Sequence, residues 1–180
     1  SLGEVTVNPC SGIEAPAVRG RRERFASPTE AAALIAAVPE RDRAIWATAM
    51  YGGLRRGELR ALRVEDIDLD AGVIRVERGW DPYEGEIKLK SRAGRRKVPI
   101  SQVLRPFLVA SLEASEGTGA DRVFGSTATQ PFAGEKLSER ADKAWDAAGL
   151  NRITLHECRH TFASLMIAAG VNDKALSTFM

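Results

Sequence analysis

The chain has 180 residues, 44% of them hydrophobic, which is enough to bury the core of one domain. Its 26 lysine and arginine residues nearly balance 24 aspartate and glutamate residues, so the net charge of +2 does not by itself predict a nucleic-acid partner. No apolar run reaches the roughly 18 residues that cross a bilayer, and Cys10 and Cys158 suggest no disulfide framework, so we predict a cytoplasmic protein without a membrane role.

The beginning of the chain differs in character from the rest. Residues 1–25 contain scattered glycine and proline without helical or strand periodicity, so we predict a linker or leader followed by one domain over residues 26–180. Ser27, Pro28 and Glu30 then combine a helix cap, a proline at the first helical position and a glutamate placed for a capping box. The first helix is predicted to start there.

Further helices are predicted from apolar spacing and from capping residues, over residues 40–51, 54–63, 101–113, 135–148, 154–169 and 172–180. Three short segments separated by Gly, Pro and Asp are typical of strands, namely residues 73–78, 86–90 and 95–100. The sequence therefore predicts a mainly α-helical fold with a small three-stranded antiparallel sheet.

One five-residue motif allows two interpretations. From His156 to His160 the sequence spells H-E-x-x-H, in which two histidines on one helix face can chelate zinc. These are the two histidines of the chain, so a third ligand would have to be a carboxylate, and Arg159 brings a positive charge close to the ion. A zinc hydrolase is kept as an alternative, but the prediction names no metal ligand and no cofactor.

The same residues also spell H-x-x-R-H, which places His156 and Arg159 on one helix face. Guanidinium groups bind phosphate through paired hydrogen bonds, so this face suits an anion. A second candidate, Arg55, follows the glycine pair at 52–53 and starts a short helix, where Glu58 could orient it. The sequence thus predicts a phosphate-binding site built from two distant segments.

A third basic feature lies between these segments. Residues 88–100 read as two strands joined by a turn rich in lysine and arginine. A hairpin tip projects outward, so it can reach into a bound duplex.

Taken in order, these motifs resemble the tyrosine recombinases, also called phage integrases, over roughly residues 25–180. Residues 53–59 look like the first-arginine box of that family, residues 90–100 like the hairpin with the catalytic lysine, and residues 154–164 like the second-arginine box. The resemblance implies the integrase catalytic-domain fold and a structural role for His160. It implies these catalytic residues: Arg55, Lys90 (with Lys88 in reserve), His156 and Arg159.

The resemblance also implies a reaction: a metal-free transesterification in which a tyrosine attacks a DNA phosphate, forms a 3′-phosphotyrosyl link and releases a 5′-hydroxyl. Arg55 and Arg159 would neutralise the developing charge, where loss of one donor typically costs about 10²- to 10³-fold in rate. Lys90 would protonate the leaving oxygen, and His156 would assist proton transfer or hold the phosphate.

The nucleophile itself is not matched. In the family the tyrosine follows the second-arginine box, whereas the tyrosines of this chain are Tyr51 and Tyr83. We therefore expect a domain truncated at its carboxyl end that binds double-stranded DNA without cleaving it. The parent, bacterial or phage-encoded, would act as a tetramer on DNA while this chain stays monomeric. A non-catalytic DNA-binding or regulatory module on the same scaffold is the other alternative.

Overall fold

The computed structural model describes residues 24–89, 94–115 and 117–180. The helices are α1 (Pro28–Ala37), α2 (Glu40–Gly52), α3 (Arg56–Ala61), α4 (Arg105–Ala114), α5 (Gly134–Ala147), α6 (Leu155–Ala168) and α7 (Asp173–Phe179). The strands are β1 (Ile67–Asp68), β2 (Val73–Val76), β3 (Arg78–Asp81), β4 (Gly85–Lys88) and β5 (Arg96–Pro99), and a 3-10 turn over Val64–Asp66 precedes β1. Most of the predicted leader lies outside the described residues.

Helix α2 forms the centre of the core and packs against α1, α3, α4 and α6. Its Trp46 meets Trp145 of α5 edge to face, with ring centroids 4.8 Å apart, and the Trp145 indole donates a hydrogen bond of 2.9 Å to the Leu34 carbonyl. Burial of an indole contributes about 4 to 6 kcal/mol at roughly 25 cal/mol per Å² before entropy is counted. This contact joins α1, α2 and α5 into one core.

The helix starts that were predicted at Ser27, Thr154 and Asn172 are confirmed, whereas the start predicted at Ser101 was wrong, because α4 begins at Arg105 without a side-chain cap. The Ser27 hydroxyl accepts a hydrogen bond from the Glu30 amide at 3.2 Å, and Asn172 Oδ1 accepts one from the Ala175 amide at 2.9 Å. Helix α3 is shorter than predicted, because Arg55 keeps an extended backbone at φ −70° and ψ 154°. The side chain of Arg55 therefore precedes the helix.

The strands form two small sheets. Strands β1, β2 and β5 are antiparallel in that order, with buried Ile74 facing both Ile67 and Val98, while β3 pairs with β4. The prediction of a mainly helical fold with a small antiparallel sheet is confirmed. The segments assigned to that sheet were wrong in one respect. The segment 86–90 pairs with β3, and β1 is the third strand of the three-stranded sheet.

The break at Glu77 explains this difference. The predicted strand 73–78 ends at Val76, and β3 begins one residue after Glu77. The Leu89 amide donates to the Glu77 carbonyl at 3.1 Å, at the junction between the two sheets. The two strands that flank the basic turn thus pair with different partners, β4 with β3 and β5 with β2.

None of the helices in the described ranges is long and apolar enough to cross a membrane.

Candidate active site

A glycine at the end of α2 brings the two arginine segments together. Gly53 has a left-handed backbone at φ 63°, and a Cβ built on it would lie 2.3 Å from the ring of Phe162 in α6. No other residue type allows this approach without strain. The carbonyl oxygen of Gly53 accepts a hydrogen bond from Arg159 Nη1, so the peptide that precedes Arg55 by two residues also holds Arg159.

The two segments form an open cleft of about 640 Å³. Three of the predicted site residues, Arg55, His156 and Arg159, line it together. The other lining residues are Arg56, Gly57, Gly134, Ser138, Thr154 and Leu155. The structure therefore brings together distant parts of the sequence, since Gly53 and Arg159, which share a hydrogen bond, are 106 positions apart.

A buried carboxylate lies behind the cleft. The side chain of Glu58 is 3% exposed, and its Oε1 accepts from Arg55 Nη1 at 2.9 Å and from Arg96 Nη1 at 2.8 Å. Its Oε2 accepts from the Arg55 backbone amide at 2.7 Å and from Arg96 Nη2 at 2.8 Å. Burial would raise the pKa of Glu58, but the hydrogen bonds and charge of Arg96, together with those of Arg55, hold this pKa below its ordinary value. Glu58 is thus ionised at neutral pH.

The second arginine of the cleft is itself buried. Arg159 is 8% exposed, and burial together with the charges of Arg55 and Arg96 lowers its pKa to about 10, so it remains a cation at neutral pH. Its Nη2 also donates to the main-chain oxygen of Met180. Three guanidinium groups therefore interact with the one carboxylate of Glu58, and this excess positive charge favours an anion in the cleft.

The glutamate of the H-E-x-x-H motif caps the start of α6. Glu157 accepts from the Thr154 amide at 2.8 Å and from the Thr154 hydroxyl at 2.9 Å, while the hydroxyl accepts from the Glu157 amide. The glutamate therefore closes a capping box. The Nε2 atoms of His156 and His160 lie 3.3 Å apart, and within the described ranges no three His, Cys, Asp or Glu side chains come together as a metal-binding group.

The sequence model of the phage integrase family matches residues 24–180 of the chain. The chain belongs to the phage integrase family. Prophage integrase IntR of Escherichia coli (strain K12) is 28% identical over 99% of the chain and 49% of its own length. Tyrosine recombinase XerC of Pelobacter propionicus (strain DSM 2379 / NBRC 103807 / OttBd1) is 30% identical over 99% of the chain and 58% of its own length. The chain thus spans about half the length of these relatives.

Solved structures give the same assignment for the fold. The Tn1549 transposon integrase, solved in complex with transposon right end DNA, superposes with a TM-score of 0.76 at 20% identity, over 90% of this chain and 59% of that one. The predicted integrase catalytic-domain fold is therefore confirmed.

The two candidate lysines of this integrase-family chain differ in whether the structure describes them. Lys90 lies outside the described residues, so its assignment as the catalytic lysine stays a prediction. Lys88, its reserve, is exposed on β4 and is absent from the described lining of the cleft. The structure thus groups three of the predicted catalytic residues and leaves the lysine open.

The tyrosines of the chain are also away from the site. Tyr51 is half-buried in α2, and burial raises its pKa. Tyr83 is 97% exposed in the turn between β3 and β4. Both belong to the described residues, and neither lines the cleft.

Sequence reasoning missed Arg96, which it treated as one of several cations in a basic turn. Its side chain is 3% exposed and forms both hydrogen bonds to Glu58 described above. The signal was present in the alternation of β5, where Arg96 shares the inward face with buried Val98. A charged residue on a buried strand face requires a partner, and the partner is Glu58.

Proposed function

We propose that this chain is the catalytic domain of a site-specific recombinase that binds double-stranded DNA and serves strand breaking and rejoining through a 3′-phosphotyrosyl intermediate. The observation that carries the proposal is the excess of guanidinium groups, those of Arg55, Arg96 and Arg159, around the carboxylate of Glu58. A DNA phosphate would balance this charge. We also propose that the protein works in the cytoplasm, where it meets DNA.

The proposed roles follow from position. Arg55 and Arg159 would hold the nonbridging phosphate oxygens, because guanidinium groups form paired, charge-assisted hydrogen bonds with phosphate. The burial of Arg159 strengthens this attraction, since charges interact more strongly when water is excluded. His156 is exposed on the cleft wall and would hold the phosphate or pass a proton. Lys90 would protonate the leaving 5′-oxygen.

The attacking group is proposed to be a tyrosine other than Tyr51 and Tyr83. We therefore propose that this chain binds DNA and that cleavage belongs to the parent protein, which would assemble as a tetramer on DNA. Trapping a covalent protein–DNA adduct with the parent on its cognate site tests this step. If the parent forms no adduct on that site, the non-catalytic DNA-binding module becomes the better interpretation.

DNA binding by this chain is tested with fluorescently labelled duplex DNA, measured by anisotropy over about 50 to 200 mM salt. We expect the binding constant to fall steeply with salt, and Arg55→Gln and Arg159→Gln each to reduce the slope of log K against log salt by about 0.9, the value for one lost phosphate contact. Arg41→Gln is the matched control. It removes the same charge at the start of α2, about 18 Å from Gly53 along the helix axis at 1.5 Å per residue.

The control is expected to keep the slope of the unsubstituted chain. The proposal fails if the chain shows no salt-dependent binding, or if both cleft variants behave like Arg41→Gln. Because Arg159 is buried, thermal unfolding of its variant is recorded alongside, and exposed Arg55 decides the matter if that variant unfolds.

A further inference from the structure

The carboxylate of Glu58 lies between two arginines that come from different parts of the fold. Arg55 precedes α3, whereas Arg96 is the first residue of β5, and each donates to both oxygens of Glu58 within 2.9 Å. The carboxylate thus accepts four hydrogen bonds and has little capacity for another partner. Arg55 and Arg96 are therefore linked through one carboxylate.

The two arginines differ in what else they can reach. The Arg96 side chain is 3% exposed, and its Nε donates to the Phe179 carbonyl at 2.7 Å, so nearly all of its donors are used inside the protein. The Arg55 side chain is 55% exposed and lines the cleft. Arg96 therefore uses its donors within the protein, whereas part of the Arg55 side chain stays accessible to a ligand in the cleft.

We infer that Arg96 is a positioning residue for phosphate binding: it fixes the buried Glu58 carboxylate through both oxygens, and Glu58 fixes Arg55 toward the DNA backbone. The inference rests on the proposed function, since it assumes that Arg55 binds a phosphate. A guanidinium fork matches both carboxylate oxygens, which a lysine ammonium does not. With a single-point contact in place of the fork, Glu58 gains freedom to rotate and draws Arg55 away from the cleft.

The experiment uses Arg96→Lys, which keeps the net charge of the chain but removes the guanidinium fork, together with the Nε hydrogen bond to Phe179. In the salt titration with duplex DNA, we expect this variant to lose about 0.9 from the slope of log K against log salt, as Arg55→Gln does. The double variant Arg55→Gln with Arg96→Lys should lose no more than either single variant, because both changes remove the same phosphate contact. Arg95→Lys, at the exposed neighbouring position, is the matched control and should leave the slope unchanged.

Two results would overturn the inference. If Arg96→Lys keeps the slope of the unsubstituted chain, the fork does not position Arg55. If the losses in the double variant add, Arg96 acts on DNA independently of Arg55. Failure of the proposed function looks different, because then Arg55→Gln alone already leaves the slope unchanged.

A second variant tests the inference if Arg96→Lys does not fold. Glu58→Gln combined with Arg96→Met removes both charges of the buried pair, which is tolerated better than removal of one. Circular dichroism establishes that this variant is folded before DNA is added. We expect it to lose the same 0.9 of slope, and an unchanged slope would contradict the inference.

Discussion

The negative charge of Glu58 contributes to the stability of the fold as well as to the arrangement of the cleft. Its pKa in the folded protein lies below the ordinary value, so the ionised form favours the folded state at neutral pH. This contribution is present above the pKa of the unfolded chain and is lost as the pH falls through the folded-state pKa. Arg96 would then remain as a buried cation without its counter-ion.

Glu58→Gln is predicted to lower the free energy of unfolding at pH 7 by about 3 to 5 kcal/mol, the usual loss when one member of a buried ion pair is removed. Urea unfolding at neutral and acidic pH should also give a weaker pH dependence for this variant than for the unsubstituted chain. Glu84→Gln, at an exposed glutamate beside the β3–β4 turn, is the control and should keep the full pH dependence. Equal pH dependence in both variants would contradict the prediction.

Cys158 lies next to the buried arginine of the cleft and is itself fully buried. Burial, with the nearby charge of Glu157, raises the pKa of its thiol far above the ordinary value, so almost none is present as the reactive thiolate. In a Cys10→Ser background, we predict that an aromatic disulfide reagent labels no thiol in the folded chain and one thiol in denaturant. Rapid labelling of the folded protein would mean that α6 opens readily.

At the scale of the elements, the junction of α2 and α6 depends on the absence of a side chain at Gly53. Gly53→Ala would add left-handed strain and a contact 2.3 Å from the Phe162 ring, so we predict a loss of about 2 to 5 kcal/mol in the free energy of unfolding. Gly149→Ala is the control: its φ of 66° imposes similar strain, but a Cβ there meets nothing within 4 Å. A loss no larger than that of the control would mean that α6 moves aside without penalty.

The elements whose signals are local were predictable. Ser27, Thr154 and Asn172 bond to amides three residues ahead, so the sequence alone marks these helix starts. Strand pairing was less accessible, because β2 pairs with β5 across the whole β3–β4 hairpin, and nothing near Ile74 specifies Val98 as its partner. The two-residue strand β1 is too short to have a periodicity of its own.

The candidate site divides in the same way. Arg55, His156 and Arg159 were named because each lies in a motif whose residue order indicates phosphate binding, and the fold places them in one cleft. Arg96 was missed because its role depends on a contact with Glu58, 38 positions away in the chain. A sequence motif gives residue type and spacing, whereas a buried ion pair between distant segments is fixed only by the tertiary fold.

At the scale of the whole molecule, the near balance of acidic and basic residues conceals an uneven distribution. Many acidic side chains around β1 to β4 form ion pairs with arginines, such as Asp66 with Arg78 and Glu86 with Arg122. The arginines of the cleft share Glu58, so the local charge is positive although the net charge is only +2. This distribution is why the net charge alone did not indicate a site for an anion.

The chain by itself is predicted to be a monomer in the absence of DNA. Light scattering coupled to size-exclusion chromatography should give a mass near 19.5 kDa at all concentrations tested. A stable dimer would contradict the prediction and would indicate that copies of the chain associate without DNA.

The hydrogen bond from Arg159 to the Gly53 carbonyl also has a thermodynamic consequence. An arginine side chain carries about 2 kcal/mol of rotamer entropy, and Arg159 loses most of it when the chain folds, before any ligand arrives. A phosphate that enters the cleft therefore meets a guanidinium that is already ordered, and the entropic penalty of its capture falls on the ligand rather than on this side chain.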